Sequence, residues 1–472
     1  MLALFWLAAI LGFVQCQAGS DRPVDEDEMD RRREEVRGAF LHAWEGYENI
    51  AFGSDEVRPL SNATVNDRFQ GWGATMVDSL STLWIMDFKS EFYRCVERIS
   101  TVDFSRSNGQ VLFFETVIRY LGGLISGYDL SGEPVLLEKA IQLADRLLPA
   151  FNSPSGFPYY RIDFASNKPD TNGGRVILSE IGTVQMEFTR LSIITNDPKY
   201  KEAALKVYDK LNLMQKPMRG LYPVFLNVNT GLFLTNEITF GALGDSFYEY
   251  LLKMYIMLGP NSDRHKYLAM FKESVDGLKS LIRRGYGDRL YVGQIDPSGQ
   301  YRQTMDHLAF FIPGMLSLGS HVTGSSDYQS LALELVESCY HAYEITSTGL
   351  GPEVIGFGAS RDITVRAPSN NLRPELLESL FYAYQSTGDS KYPDRAYQIF
   401  QSMQRYSRTP TAFAGYRDVN NPDVSRNQLD VMESFFMAET MKYLYLLFCP
   451  QDYWDLDTWV FNTEAHPFRI SK

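Results

Sequence analysis

Six apolar, aromatic-rich stretches of this sequence each carry an acid where a buried segment would ordinarily carry none. Glu115 follows Phe113-Phe114, Asp245 precedes Phe247-Tyr248, and Glu439 comes just after Phe435-Phe436; Glu180, Glu375 and the pair Asp306-His307 sit in comparable runs. A single acid of this kind could simply answer a helix dipole, an effect of roughly 0.3–1 kcal/mol. The set does not fit that explanation, because dipole partners at a surface need no aromatic flanks. Buried carboxylates are costly unless paired, hydrogen-bonded or bound to a cation. With Arg119, Arg373 and His307 close by in sequence, several such acids together look like an active site. The chain has no evident nucleophile elbow, Gly-rich phosphate loop or thiol pair. Paired carboxylates remain, the usual tool of glycoside hydrolysis, one protonating the leaving oxygen and one activating water. A crowded acidic site also suits a hard cation with oxygen ligands, such as calcium.

The elements that would gather these acids follow from a turn signal at nearly constant spacing. It recurs as Ser131-Gly132-Glu133-Pro134, Thr195-Asn196-Asp197-Pro198, Gly259-Pro260-Asn261-Ser262, Thr323-Gly324-Ser325-Ser326 and Thr387-Gly388-Asp389-Ser390, the starts 64 residues apart. One more step lands on Gln451-Asp452-Tyr453, and a less regular copy lies near Asp87-Phe88-Lys89. After the turns come amphipathic segments such as 136–148 and 201–214, with apolar residues at helical spacing. Before them come segments apolar on most faces, which marks buried helices. The unit is a buried helix, a turn and an outer helix. About seven units, some fourteen helices, would close into an all-α barrel; an open solenoid is the alternative. Each acid lies 12 to 17 residues before its turn. Helices repeated in one orientation would therefore bring all of them to one rim.

Composition narrows the classes. Hydrophobic residues at 44% and charged residues at 22% suit a globular chain with a sizeable core. A formal charge of −13 argues against nucleic acid, which needs clustered Lys and Arg. Residues 1–14 form one apolar run, shorter than the roughly 18–20 residues of a membrane span. Cys16 and Ala18 are small residues where a signal peptidase reads. We therefore expect a signal peptide at 1–18, a charged segment at 19–34 and one catalytic domain at 35–472, with an uncleaved anchor as the alternative. No second span follows, and a monomer in the secretory-pathway lumen (endoplasmic reticulum or Golgi), or secreted, is expected. Cys95, Cys339 and Cys449 would remain, an odd number that leaves a free thiol or an intermolecular bridge. Asn62-Ala63-Thr64 is a glycosylation sequon, expected at the surface.

Ordered motifs along nearly the whole mature chain resemble glycoside hydrolase family 47, the class I α-1,2-mannosidases. They are Gly71-Trp72-Gly73-Ala74-Thr75 with Val77-Asp78-Ser79-Leu80, Phe114-Glu115-Thr116, Arg119-Tyr120-Leu121-Gly122-Gly123, and Gly244-Asp245-Ser246-Phe247-Tyr248-Glu249-Tyr250. Then follow Asp306-His307-Leu308, Gly351-Pro352-Glu353, Leu372-Arg373-Pro374-Glu375 with Glu378-Ser379, Met432-Glu433-Ser434-Phe435-Phe436, and Phe461-Asn462-Thr463-Glu464-Ala465-His466. The resemblance implies an (α/α)7 barrel, an inverting mechanism, a bound Ca2+ and high-mannose N-glycans as substrate. It implies Glu115 as general acid and Glu375 as the base that activates water. Asp245 and Glu353 are further carboxylates with a possible share in proton donation. It also implies Thr463 as the calcium ligand, through its carbonyl and hydroxyl oxygens. Glu187, Glu378, Glu439 and Glu464 would surround the calcium-bound waters and the sugar, and Arg119, His307, Arg373 and Phe435 would contact the sugar, Phe435 by stacking.

Locally, 457–461 and 466–468 are two extended runs around Asn462-Thr463-Glu464, a hairpin whose tip, plugged into the barrel, would present Thr463. Two positions depart from the resembled pattern. The usual disulfide partner of Cys339 is replaced by Phe310, so that bridge cannot form. Leu243 stands where members that stop after one mannose have Arg, and so resembles the broader-trimming, Golgi-like branch. Two other functions stay open at this stage: a mannosidase-like lectin of glycoprotein quality control, and another α/α-toroid enzyme such as a sugar epimerase or lyase.

Overall fold

The structure is a computed structural model, and it describes residues 25–260 and 262–472. The expected signal peptide lies outside the described residues. Among the described residues, seven inner helical stretches are ringed by outer helices, six of them joined to the next outer helix through a short turn. The inner set comprises Leu80–Ile85, Gly122–Ser131, Gln185–Thr195, Asp245–Met257, Ile312–Thr323, Glu375–Thr387 and Met441–Leu447. The outer set comprises Lys89–Ser100, Pro134–Leu147, Lys199–Leu213, His265–Leu281, Ser326–Glu344 and Lys391–Tyr406, together with the N-terminal helix Glu26–Ala51. Burial separates the sets. Gln185 to Ser192 and Met441 to Leu447 are buried at every position, whereas Lys199–Leu213 buries only Tyr200, Ala204, Val207, Tyr208 and Leu211, the one-face spacing of an amphipathic helix.

The recurrent turn works for a local reason. Gly132, Asn196, Gly324 and Gly388 each end an inner helix in the left-handed region, where Gly and Asn carry the least penalty. The chain then reverses and the next helix begins within a few residues, Ser325 capping Ser326–Glu344 by accepting from the Tyr328 amide.

At the two ends of the chain the repeat changes. Gln451–Tyr453 is a 3-10 turn with no outer helix after it; instead Trp459–Phe461 and Pro467–Arg469 pair as an antiparallel hairpin. The vacant outer place is filled by Glu26–Ala51. Its Arg32 pairs with Asp394 at 2.7 Å on one flanking outer helix, and its Glu48 accepts from Arg94 at 2.8 Å on the other. The first outer helix thus lies between the second and the last, which closes the ring. The expected domain boundary at residue 35 falls inside this helix. Residues 26–34 are helical because Asp25 caps the Glu28 amide, Glu28 pairs with Arg31 and Arg32 one turn on, and Met29 is buried.

Short β ribbons lead directly into inner helices at the opposite rim from the turns. Gln110–Leu112 runs into Phe113, Arg175–Ile177 into Leu178, and Thr304–Asp306 into His307. Paired strands fix the direction in which each helix starts, and so aim its first residues. Cys95, Cys339 and Cys449 are free and buried, with Phe310 fully buried as well. Asn62 sits exposed in the turn between the paired strands Glu56–Arg58 and Ala63–Val65. Among the described residues no helix is long and apolar enough to cross a membrane.

Candidate active site

The starts of the inner helices converge on a cleft of about 490 Å³, within the usual range for a small-ligand site. Glu115, Arg119, Asp245, Arg373, Glu375, Glu378, Phe435, Glu439, Thr463 and Glu464 line it, as do Glu180 and Leu243. Asp245 and Glu375 are the first residues of their helices. Arg119 and Glu439 lie in π turns, Thr116–Leu121 and Phe436–Thr440, at the starts of two others. An extra residue in a helical turn re-aims the side chains around it, and such turns recur at functional sites.

Three expected site residues lie behind this lining. His307, 1% exposed, places Nδ1 2.7 Å from Glu375 Oε2 and Nε2 2.6 Å from the Tyr343 hydroxyl. The tautomer with its proton on Nδ1 donates to the carboxylate and accepts from the phenol. Glu353 accepts from Arg373 Nε at 2.7 Å and from the Asn371 amide at 3.3 Å, which orients the guanidinium toward the cleft. Glu187 is fully buried beneath the hairpin tip; its Oε1 accepts from the Tyr250 hydroxyl at 2.6 Å and from Asn462 Nδ2 at 2.8 Å.

Glu115 is gripped from two sides. Arg68 donates to Oε1 and Arg119 to Oε2, each at 2.9 Å. Burial pushes Glu115 up, but the two guanidinium groups outweigh it and hold the carboxyl below its usual range. Arg119 also contacts Asp78 and Glu464, tying the cleft wall to the hairpin. Asp245 behaves in the opposite way: burial raises it to about 8, with the nearby charges of Asp306, Glu249 and Glu375 adding to the shift. Glu180 and Glu378 are likewise pushed by burial to about 8, and Glu187 to about 7. Glu439 is raised well above a normal carboxylate by burial and by its neighbours Glu375 and Glu378.

The hairpin tip is rigid by construction. Asn462 Oδ1 accepts from the Glu464 and His466 amides at 2.9 and 2.8 Å, and the buried Lys253 donates to the Asn462 carbonyl at 3.3 Å. Thr463, at the apex, donates its amide to the Tyr250 hydroxyl at 3.3 Å. Among the described residues no group of three or more His, Cys, Asp or Glu side chains is gathered so as to hold a metal by itself. The donor chemistry nonetheless suits a hard cation. Glu187 Oε2 is buried without a hydrogen-bond partner while its Oε1 shares the Tyr250 hydroxyl with the Thr463 amide, and the carboxyls of Glu187, Glu378 and Glu439 are raised, chiefly by burial.

Arg68, Glu249 and Glu433 also line the cleft, though no role was read for them from sequence. Glu249 forms a buried ion pair with Lys253, and the i, i+4 spacing of the two could have revealed it. Glu433 accepts from Arg68 at 3.1 Å. Arg68 comes from a loop, where no periodicity marks its direction.

Known proteins share this arrangement at the level of the whole chain. The chain is 43% identical over 454 residues to mannosyl-oligosaccharide 1,2-alpha-mannosidase MNS1 of Arabidopsis thaliana, which covers 94% of this chain and 80% of that protein. It is 40% identical to the endoplasmic reticulum mannosyl-oligosaccharide 1,2-alpha-mannosidase of Rattus norvegicus, over 93% of this chain and 68% of the relative. The solved alpha-1,2-mannosidase from Trichoderma reesei superposes with a TM-score of 0.89 at 32% identity, covering 94% of this chain and 99% of that one. That match agrees with the (α/α)7 barrel expected from the repeat. The sequence profile of glycosyl hydrolase family 47 matches residues 39–470. On this match, and on the carboxylate-lined cleft that its motifs build, the chain belongs to glycosyl hydrolase family 47.

Proposed function

We propose that the chain is an inverting, exo-acting α-1,2-mannosidase that removes terminal mannose from high-mannose N-glycans in the secretory pathway and needs calcium. The observation that carries this reading is the pairing of Asp245 and Glu375 in one cleft. The first is raised to about 8 and so holds a proton at neutral pH, while the second is oriented by His307 at 2.7 Å. The names of the relatives at 43% and 40% identity support the substrate class.

In this mechanism the terminal mannose enters the cleft, with Phe435 against its ring and Arg119 and Arg373 at its hydroxyls. Glu375 takes a proton from a water molecule as that water's oxygen bonds to the anomeric carbon. The bond from the anomeric carbon to the bridging oxygen breaks on the opposite face, and that oxygen takes a proton from the acid. Attack opposite to departure inverts the configuration. We assign the proton to Asp245, because Glu115 is held ionised by Arg68 and Arg119. Glu115 and its two arginines then serve as an electrostatic clamp, with Glu353 fixing Arg373 from behind. When bound, a calcium ion held by the Thr463 oxygens would supply positive charge to the surrounding acids and oxygen coordination for sugar hydroxyls. Glu187, Glu378, Glu439 and Glu464 are the acids that would hold its bound waters.

Incubation with a nine-mannose N-glycan, with and without a chelator, tests the reading. Loss of mannose in calcium and its arrest in chelator are expected. Glycan that is bound but never shortened would turn the reading to a lectin, and full trimming in chelator would remove the metal.

A further inference from the structure

Among the described residues only two lysines are buried, Lys253 and Lys442, at 2% and 0% exposure. Both meet the same four-residue hairpin tip. Lys253 Nζ donates to the Asn462 carbonyl at 3.3 Å, and Lys442 Nζ donates to the Ala465 carbonyl at 2.5 Å. These carbonyls belong to the residue just before Thr463 and the residue two after it. Lys253 stands on Asp245–Met257 and Lys442 on Met441–Leu447, the fourth and seventh inner helices, nearly across the ring from each other. The tip is held from both sides.

A buried ammonium group is costly, and methionine would fill much the same space without that cost. Other contacts offset part of it: Lys253 pairs with Glu249 and lies 3.7 Å from Glu378, and Lys442 donates to Ser81 Oγ at 2.9 Å. What the lysines add is a fixed place for the tip. The strands Trp459–Phe461 and Pro467–Arg469 have only three residues each, and a lone two-stranded hairpin is marginal in water. Ala465 has φ of 53°, a left-handed conformation that an alanine keeps only where its surroundings impose it, and Lys442 bonds the carbonyl of that residue. Among the described residues no hydrogen-bond donor meets the Thr463 carbonyl or hydroxyl, while the Asn462 and Ala465 carbonyls each take a lysine. The clamp occupies the acceptors on either side of Thr463 and leaves the oxygens of Thr463 itself.

We propose that Lys253 and Lys442 are positioning residues that hold Thr463 ready for a cation and so set the affinity of the chain for calcium, a role that rests on the calcium reading of this cleft. Neither lysine touches the sugar or the metal. Each acts through the backbone of the tip, by sparing the ion the cost of ordering it.

The full-length chain, stripped of metal with a chelator, is titrated with calcium in a calorimeter. Lys442 donates to neutral acceptors, so Lys442→Met strands no charge. Lys253→Met would strand Glu249, so it is made together with Glu249→Gln and compared with Glu249→Gln alone. Each loss of a lysine is expected to weaken calcium binding about tenfold, the worth of fixing one residue's backbone on binding. Hydrogen–deuterium exchange of the peptide 460–468 should be faster in the variants without calcium and slow again with it. The kcat for a nine-mannose glycan should recover at saturating calcium, which a general loss of structure would not allow. If a Met variant does not fold, the matching Gln variant, polar but one atom too short for the carbonyl, is titrated with the same expectation. Unchanged calcium affinity in the folded variants would overturn the role of the lysines and leave the calcium reading intact. So would unchanged exchange at the tip, or a kcat that stays low at saturating calcium. No calcium binding by the unsubstituted chain would overturn both.

Discussion

His307 Nδ1 lies 2.7 Å from Glu375 Oε2, and the imidazole is itself anchored at Nε2 by the Tyr343 hydroxyl at 2.6 Å. This chain of contacts fixes one oxygen of Glu375 and leaves the other for the cleft, where Arg373 approaches it at 3.9 Å. His307 is thus a positioning residue for the proposed base. Glu375→Gln should lower kcat by about 10²–10⁴, the usual worth of a general base. His307→Phe, which keeps an aromatic ring and removes the hydrogen bond, should lower kcat by up to about 10² with a smaller change in KM, since small misplacements of a reacting group carry that penalty. Steady-state kinetics on a nine-mannose glycan would check both, and an unchanged kcat in Glu375→Gln would remove the base.

Asp245, raised to about 8 by burial, makes a prediction about pH. A donor must be protonated, so its contribution is present below that value and is lost as pH rises through it. The profile of kcat/KM should therefore fall on an alkaline limb near pH 8. Asp245→Asn should lose about 10²–10³ in rate together with that limb. Glu115→Gln should be slower but keep the limb. If Glu115→Gln is the variant that loses it, the proton belongs to Glu115.

The raised acids also govern stability. Glu180 and Glu378 sit at about 8 and Glu187 at about 7, against an ordinary value of 4.5. Between these limits the folded chain holds more protons than the unfolded one, so stability is greatest below about pH 4.5 as far as these groups are concerned. Their contribution is lost as pH climbs through 7 and 8. In chelator, Tm should fall across that window. Calcium should restore it, more at pH 8 than at pH 6, because a cation favours the ionised forms. Calorimetry at several pH values, with and without calcium, checks this. A calcium effect independent of pH would separate the metal from these carboxylates.

Leu243 lines the cleft two residues before Asp245, with φ of 78°, a backbone region that a leucine rarely occupies. Leu243→Arg would bring a long cation into the glycan's approach. We expect product analysis by chromatography to show trimming that stops at fewer released mannoses. The alkaline limb should move to lower pH, because a nearby positive charge favours ionised Asp245. Unchanged products would remove Leu243 as a determinant of how far trimming runs.

The sequence by itself determined the repeating unit and the common rim. Five turns at a fixed step, each with a Gly or Asn at a left-handed position, repeat one local conformation, and a repeated conformation repeats a direction. The acids at the helix starts, from Glu115 to Glu439, then had to share an end, and the ordered motifs named most of the cleft. What joins one end of the chain to the other was decided only in three dimensions. Nothing between residues 25 and 51 signals that this helix fills the outer place left vacant after Tyr453, because the signal is a shape offered by helices hundreds of residues away. Arg119 reaches Glu115 from one helical turn on, but the contact of Arg68 with Glu115 is tertiary, as is the place of His307 behind Glu375. Residue types and spacing record what a side chain can do. Which neighbours it meets, and therefore which acid keeps its proton, is set by distance and desolvation, and those exist only once the ring has closed.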